Sequence, residues 1–213
     1  MRQIQVANTE RDDIASVGLQ GNGFRYFHGP LENFGVFNGQ IEQGPPGQDE
    51  AEAPEGWVLS DPWAEGGTFL RMAGGYAGNW CVRGCNAGAG RGVRLVSSKY
   101  IPVAQSAYDN YYIQGAFYQT NNGQAYLGVE CYSAAKAILG TASPLGLFVP
   151  GAAWVKYWGI LGPVGTAFWA NTRYVRVRVE LQNDVAINNG CVWGDDFKFQ
   201  QIQSWAYQFF QQP

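Results

Sequence analysis

The sequence predicts an all-β fold, and three observations lead to that prediction. Glycines are frequent, 29 in 213 residues, and 15% of the residues are aromatic, so turns and good strand formers are both abundant. Several segments alternate between apolar and polar residues, as half-buried strands do. The chain is 46% hydrophobic and 15% charged, which suits one large domain, or one domain with extensions, around a sizeable core.

Four segments in the middle of the chain have the strand pattern. They are residues 91–103, 108–120, 124–133 and 173–182. In the last segment the apolar residues that predict a half-buried strand are Val175, Val177, Val179 and Leu181. The second and third segments are separated by the Asn-Asn-Gly sequence at 121–123. Because an Asn-Gly pair favours a tight reversal between strands, we expect these two strands to pair as an antiparallel hairpin.

Three of these strands present a polar and aromatic outer side. By alternation, the outward residues include Tyr112, Gln114, Tyr118, Tyr126, Glu130, Arg176 and Arg178. If the three strands are neighbours, these side chains form one contiguous surface. Aromatic rings stack on the C–H faces of a sugar, and amide, carboxylate and guanidinium groups bind its hydroxyls, so the surface suits a glycan. The alternative is a solvated sheet face, because Tyr and Arg are common strand residues.

The closing strand, GCVWGDDFKFQ at 190–200, contains two adjacent aspartates within an aromatic alternation. A period of two predicts one face that holds Trp193, Asp195, Phe197 and Phe199. A buried carboxylate without a partner is costly. We therefore expect a cation, a ring of N–H donors or an exposed strand end at Asp195.

Composition excludes two classes of partner. The formal net charge is −3 with a pI of about 5.1, and Lys and Arg do not gather into a stripe, so no nucleic-acid partner is expected. No stretch reaches the roughly 20 apolar residues of a membrane helix, so no membrane insertion is expected. The first residues lack the apolar middle of a secretory signal, which predicts a chain that is made and folds in the cytoplasm.

Catalysis has little support in the sequence. The only histidine is His28, so the strand region can form neither a Ser-His-Asp nor a Cys-His set. Glu130 and Glu180 could be offered as the carboxylate pair of a glycosidase. Nothing distinguishes them from ordinary charges on a sheet face, so we expect no enzyme and assign no catalytic residue.

The four cysteines, Cys81, Cys85, Cys131 and Cys191, leave several arrangements open. Cys81 and Cys85 could close a small disulfide loop or begin a zinc site, although no second pair of metal ligands supports zinc. Cys131 and Cys191 each share the apolar phase of a strand, so they are expected to be buried thiols or partners of each other. The missing secretory signal favours reduced thiols.

A set of motifs resembles a known family over residues 33–202. The motifs are NFGVFNGQIEQG at 33–44, PEGW at 54–57, GGYAGNWCVRG at 74–84, SSKYIPV at 97–103, YYIQGAFYQ at 111–119, YLGVECYSAAKAILG at 126–140, TRYVRVRVEL at 172–181 and the closing VWGDDFKF. In order and spacing they resemble the jelly-roll carbohydrate-binding modules attached to xylanases and other polysaccharide-degrading enzymes. The resemblance implies a jelly-roll β-sandwich of two antiparallel sheets, with residues 1–32 as an N-terminal arm and 203–213 as an aromatic tail.

The resemblance also bears on the aspartate pair. Modules of this kind often hold a structural calcium between the first and last strands, and the matching residues here are Glu42 with Asp195 or Asp196. Calcium suits carboxylate and backbone oxygens in loose coordination, and the inward phase favours Asp195 over Asp196. The alternative is that the pair accepts backbone N–H bonds at a strand end.

Two regions depart from the family pattern. The stretch from Gly44 to Pro54 is acidic and proline-bearing and predicts a solvated loop. Segment 139–170 has more large apolar side chains than the core of a two-layer sandwich can hold. They are Trp154, Tyr157, Trp158, Phe168 and Trp169. Some of them are expected to cover a sheet edge, line a groove or meet another protein.

The two ends of the chain predict assembly. Residues 1–32 carry too little apolar sequence for a core but hold an aromatic cluster, and the tail contains Trp205, Tyr207, Phe209 and Phe210. Exposed rings of this kind should fold back or dock on a neighbouring subunit. We therefore expect a homo-oligomer whose arms contact other subunits.

Two functional hypotheses follow. The favoured one is a non-catalytic structural or adhesion subunit of a bacteriophage virion, as capsid decoration, head fibre or tail appendage. Such a subunit assembles in the host cytoplasm, is found in the virion, and could contact a cell-surface glycan. The alternative is a free-standing carbohydrate-binding module that targets a polysaccharide, which would place the protein outside the cell.

Overall fold

The computed structural model describes residues 36–44, 53–59, 67–86, 92–106, 109–121, 123–182 and 190–203. Within these ranges the chain forms β-strands and no helix. The strands are β1 (Trp57–Leu59), β2 (Gly67–Ala73), β3 (Trp80–Asn86), β4 (Gly92–Ser97), β5 (Ile101–Pro102), β6 (Asp109–Thr120), β7 (Gln124–Tyr132), β8 (Ile138–Ala142), β9 (Leu147–Phe148), β10 (Val155–Leu161), β11 (Tyr174–Gln182) and β12 (Cys191–Gln203). The expectations for the arm 1–32 and for the tail after Gln203 concern residues outside the described part.

The strands form two antiparallel sheets packed as a jelly-roll β-sandwich, which confirms the predicted fold class. The seven-stranded sheet has the order β1-β4-β11-β7-β8, with β5 on β11 and β9 on β7. The five-stranded sheet has the order β10-β6-β12-β3-β2. In the described part of the chain, no helix is long and apolar enough to span a bilayer.

The core lies between the sheets and is built from the alternating apolar residues of the central strands. The four apolar residues predicted for β11 are all buried, as are Leu127 and Val129 of β7. From the other sheet, Phe117 of β6 packs on Phe197 of β12 at a ring distance of 5.7 Å. Each such side chain contributes about 1.5–3 kcal/mol of burial free energy, so period-two alternation accounts for the stability of this layer.

The predicted hairpin between β6 and β7 is wrong. Asn121 has the positive φ, 56°, that a tight reversal uses, and the Gly123 N–H donates to the Thr120 carbonyl at 3.4 Å. The chain nevertheless crosses from one sheet to the other at this turn. The neighbours of β6 are β10 and β12, and those of β7 are β11, β8 and β9. Both strands place their apolar side on the shared core from opposite sheets, which a local turn signal does not reveal.

The predicted inward phase of the closing strand is wrong for Trp193 and Asp195, because the register pairs them with Tyr118 and Ala116 on the outer side of β6, whereas Phe117 faces the core. The register of β12 against β6 shifts between Asp195 and Lys198, and Asp196 has a φ of 52°. This β-bulge inserts an extra residue and inverts the alternation. Val192 lies in the core before the bulge and Phe197 after it, whereas the Trp193 ring stacks on Tyr118 outside the core at 4.3 Å.

Of the cysteine expectations, the buried thiol at Cys131 is confirmed, and those for Cys81, Cys85 and Cys191 are corrected. Cys85 and Cys191 form a disulfide, and Cys81 and Cys131 are free and buried. The register places Cys191 directly opposite Cys85, on the neighbouring strands β12 and β3. Cys81 lies on the same extended strand as Cys85, about 13 Å away at 3.3 Å per residue, too far for a bridge. The pairing spans 106 residues of sequence and depends on which strands are neighbours.

Candidate functional site

The seven residues predicted to line one surface lie on opposite sides of the sandwich. Tyr112, Gln114 and Tyr118 belong to β6 in the five-stranded sheet, whereas the other four belong to β7 and β11 in the seven-stranded sheet. Those four are Tyr126, Glu130, Arg176 and Arg178. The prediction of a contiguous surface is therefore wrong, because the hairpin on which it depended does not form.

The outer side of the seven-stranded sheet, which we call the closed face, has polar groups that pair with one another. It comprises Arg94, Tyr126, Glu130, Arg176, Arg178 and Glu180. Glu180 Oε1 accepts hydrogen bonds from Arg94 Nε at 2.6 Å and from Arg178 Nε at 2.8 Å. The Arg178 guanidinium also lies over the Tyr126 ring at 5.2 Å.

The rest of the closed face is paired in the same way. Arg176 Nε donates to the Ser97 carbonyl at 2.5 Å, and its guanidinium lies 5.5 Å from the Tyr100 ring. Glu130 Oε2 accepts a hydrogen bond from the Tyr132 hydroxyl. Each charge on this face thus has a partner on the same face, and a ligand would have to displace it.

The outer side of the five-stranded sheet, which we call the open face, presents two aromatic platforms. From the strands it comprises Arg83, Tyr112, Gln114, Tyr118, Lys156, Trp158, Trp193, Asp195, Asp196, Lys198 and Gln200, and from the flanking loops Tyr76 and Trp154. At one end Trp158 stacks with Tyr112 at 6.0 Å. At the other end Trp193 stacks on Tyr118, and Trp154 meets the edge of Tyr118 at 4.6 Å. Trp158 is 44% exposed, so rings are accessible from solvent.

A network built on Asp196 lies between the platforms. Asp196 Oδ2 accepts a hydrogen bond from Gln114 Nε2 at 2.8 Å and lies 3.3 Å from Lys156 Nζ. Lys198 Nζ lies 3.3 Å from the other carboxylate oxygen. The Tyr112 hydroxyl donates to Gln114 Oε1 at 2.6 Å. Burial, with a further contribution from the Asp196 charge, raises the pKa of Tyr112 to about 12, so the hydroxyl remains a donor.

The open face also contains buried polar atoms without a hydrogen-bond partner. Among the described side chains these atoms are Arg83 Nε, Asp196 Oδ1 and Gln200 Oε1. Lys198 neutralises the Asp196 oxygen as an ion pair but outside hydrogen-bond geometry. An unsatisfied buried polar group costs about 1–3 kcal/mol. All three atoms lie on one face of one sheet, which marks the open face as the part of the sandwich left incomplete.

Sequence reasoning placed only Tyr112, Gln114 and Tyr118 of this face in the predicted glycan surface. Trp154, Lys156 and Trp158 alternate along the approach to β10 and along β10 itself, but a segment rich in Gly and Pro obscured the strand. The surplus of tryptophans was the available signal. Trp193 was assigned to the core because the bulge was not visible in the sequence.

The predicted calcium ligands contact backbone N–H groups of the loop between β2 and β3. Asp195 Oδ2 accepts hydrogen bonds from the N–H groups of Tyr76 at 2.7 Å and Ala77 at 2.9 Å. Glu42 Oε1 accepts from those of Asn79 at 2.8 Å and Trp80 at 3.0 Å. Of the three environments expected for Asp195, the ring of N–H donors is the one present.

This arrangement does not fit a calcium site. Asp195 Oδ1 accepts a third N–H, from Asp196 at 2.6 Å, and Asp196 is paired with two lysines. The described residues contain no group of three His, Cys, Asp or Glu side chains able to hold a metal ion. Burial raises the pKa of Asp195 to about 6, although the N–H donors oppose the shift. Calcium binding stays a prediction.

No protein-family model matches the chain, and no curated protein matches it either. Solved structures do resemble it. An arabinose-bound α-L-arabinofuranosidase, MgGH51, is 14% identical with a TM-score of 0.52, over 82% of this chain and 27% of that one. A Stig cyclase, Fisc from Fischerella sp. TAU, is 10% identical with a TM-score of 0.52, over 79% and 96% of the two chains.

Carbohydrate-binding modules of families 22, 11 and 4 are also among the similar structures, as the motif resemblance implied. The CBM22-1 xylan-binding domain of Paenibacillus barcinonensis Xyn10C is 14% identical with a TM-score of 0.48, over 73% of this chain and 91% of that domain. At such identities, structural similarity shows a shared β-sandwich fold. The function of the chain depends on the side chains that its own two faces present.

Proposed function

We propose that this chain is a non-catalytic carbohydrate-binding subunit that holds a glycan on its open face. The observation that carries the proposal is the combination of exposed aromatic platforms with partly exposed ammonium groups on one sheet. Trp158 and Tyr76 are 44% and 42% exposed, and the side chains of Lys156 and Lys198 beside them are 42% and 21% exposed. Sugars need both features, since their C–H faces stack on rings and their hydroxyls need donors and acceptors.

The closed face is a weaker candidate for the same role. Its charged groups satisfy one another, and Glu130 and Glu180 are only 6% and 4% exposed. A ligand there would replace good internal ion pairs and gain little. We therefore assign the glycan contacts to Tyr112, Gln114 and Tyr118 with the tryptophans of the open face, and we assign Tyr126, Glu130, Arg176 and Arg178 to stability.

Binding without catalysis is supported by the state of the carboxylates. A glycosidase needs an acid and a base or nucleophile that face the sugar. Glu180 is held by two arginines, Asp196 by two lysines and a glutamine, and Asp195 by three N–H groups. Since two similar structures come from an arabinofuranosidase and a cyclase, the fold alone would allow either role.

The test compares two exposed tryptophans. Trp158→Ala removes a ring of the open face, whereas the matched control Trp169→Ala removes a ring that is 52% exposed and lies against Gly140 at the β8 edge. Binding to a panel of immobilised polysaccharides is measured by affinity electrophoresis. We expect Trp158→Ala to lose at least about tenfold in affinity, from about 1.4 kcal/mol of lost stacking, while Trp169→Ala retains binding.

Melting curves of both variants control for folding. If the wild-type chain binds no polysaccharide in the panel, or if both variants lose binding equally while remaining folded, the open face is not a glycan site.

We place this binding subunit in a bacteriophage virion, as a structural or adhesion component that reaches a cell-surface glycan. The support is the sequence of the two ends, where rings occur outside any core pattern. A free-standing carbohydrate-binding module outside the cell is the alternative. Deleting residues 1–32 should leave a folded sandwich and abolish oligomerisation, as measured by light scattering. A monomeric full-length chain, or equal assembly of the truncated one, would favour the alternative.

A further inference from the structure

We infer that the glycan on the open face is acidic and that Lys156 and Lys198 receive its carboxylate. This inference rests on the proposed function and names the chemical class of its ligand. The observation behind it is a pair of lysines that together bridge one buried carboxylate, Asp196, beside exposed aromatic rings.

The charge that a ligand meets on the open face is positive. The Asp195 and Asp196 residues are 0% and 2% exposed. The side chain of Lys156 is 42% exposed and that of Lys198 is 21% exposed. The carboxylates therefore lie below the surface and the ammonium groups lie on it, although the whole chain has a net charge of −3.

The two lysines have donors left over. Each ammonium carries three N–H groups, and each lies 3.3 Å from one oxygen of Asp196. The two ammonium groups contact different oxygens of Asp196, so one carboxylate already bridges the pair from below. A second carboxylate that approaches from solvent can bridge the same pair with charge-assisted hydrogen bonds.

Asp196 acts as a positioning residue in this arrangement. Its φ of 52° at the bulge is a conformation that non-glycine residues seldom adopt and that occurs at functional sites. Gln114 Nε2 donates to Asp196 Oδ2, the oxygen that Lys156 also contacts, at 2.8 Å. A fixed carboxylate keeps two like charges close together, and the trio retains one net positive charge that a single ligand carboxylate would neutralise.

The ring contacts suit a sugar that carries the carboxylate itself. Trp154, Lys156 and Trp158 alternate on one side of the chain at β10, and Lys156 Nζ also lies 5.2 Å from the Tyr76 ring. A stacking platform and an ammonium group are therefore adjacent along the strand. A uronic acid carries a ring that can stack and a carboxylate in the same sugar residue, so it can contact the aromatic platform and the ammonium group at the same time.

The experiment uses the full-length chain and matched polymers. Polygalacturonate, alginate and hyaluronate are each compared with their own carboxyl-reduced forms, which keep the backbone and lose the charge. We expect at least one acidic polymer to bind about tenfold or more tightly than its reduced form. That preference should shrink as salt is raised, because the lysines are partly exposed.

Three variants test the lysine pair. Lys156→Met should remove the preference for the acidic polymer, and Lys156→Arg should keep it because the charge remains. Lys136→Met is the control, since that lysine lies over Tyr100 beside the closed face. Asp196→Asn removes the carboxylate that holds the two ammonium groups together and should reduce the preference for the acidic polymer. Melting curves identify any variant that has lost its fold.

The outcomes separate the two claims. If acidic and reduced polymers bind equally, or if Lys156→Met keeps the full preference, the acidic ligand is wrong while the proposed carbohydrate-binding function stands. If neither form of any polymer binds, nor any neutral polysaccharide, both are wrong.

Discussion

The closed and open faces contain nearly the same charged groups and use them differently. Each outer strand face carries three cations and two carboxylates, with tyrosines among them. On the closed face the cations are Arg94, Arg176 and Arg178, whose planar groups form paired contacts with Glu180, Ser97 and nearby rings. On the open face two of the three are lysines.

The difference teaches that composition alone does not make a face a binding site. A guanidinium can pair with a carboxylate and a ring at once and becomes fixed, whereas an ammonium group on a flexible stem keeps donors for solvent or ligand. Accessible tryptophans and unpaired atoms occur on the open face beside those lysines. We therefore expect the closed face to contribute stability and the open face to contribute binding.

The largest expected effect is loss of the disulfide that joins β3 to β12 in the five-stranded sheet. Cys85→Ser with Cys191→Ser separates β3 from β12 at a link that closes 106 residues of chain. We expect the free energy of unfolding to fall by about 2–4 kcal/mol, as measured by urea denaturation with and without reductant. If the free energy of unfolding of the wild type is the same with and without reductant, the bridge contributes no stability.

The second effect tests the stabilising role of the closed face. Glu180→Gln leaves Arg94 and Arg178 without their shared carboxylate. Removing one partner of a buried ion pair is costly, but these arginines are 18% and 15% exposed, so solvent screening lowers the expected loss to about 1–3 kcal/mol. Polysaccharide binding should be unchanged. A variant that keeps its stability but loses binding would reverse the roles of the two faces.

The third effect concerns pH and the loop that carries Tyr76. Burial raises the pKa of Asp195 to about 6 from 3.8, so the folded state binds its proton more tightly than the unfolded state. The protonated Asp195 carboxyl therefore stabilises the folded state, and this stabilisation is fully present below about pH 4. It is lost as the pH rises to about 6, which lowers the free energy of unfolding by up to about 3 kcal/mol. Urea denaturation from pH 4 to 7 should show the decline in the wild type and less of it in Asp195→Asn. Parallel curves would mean that Asp195 does not titrate in this window.

The smallest expected effect is that of calcium. Because N–H groups already occupy Glu42 and Asp195, we expect the melting temperature in excess chelator and in excess calcium to agree within about 1 °C, since a ligand stabilises only by binding the folded state. A clear rise with calcium would confirm the sequence-based prediction and show that the loop between β2 and β3 rearranges around the ion.

Sequence patterns correctly predicted the buried side of a strand where every second residue along it is apolar. Val175, Val177 and Val179 are buried as alternation required, because a period of two follows from backbone geometry alone. The all-β class followed from composition and the jelly roll from the motif resemblance, whereas the ring of N–H donors was one of three environments that the cost of a bare buried charge left open for Asp195.

Tertiary structure decided which strands are neighbours, and the site depends on that choice. The Asn121 turn has the expected local geometry but connects opposite sheets, so Tyr112 and Tyr126 lie on different faces. The bulge at Asp196 moved Trp193 from the core to the open face, and the pairing of β3 with β12 selected the Cys85–Cys191 bridge. A local pattern specifies which side of a strand is apolar. Sheet partners are set by long-range packing, because each strand can bury the same apolar side against the core from either sheet.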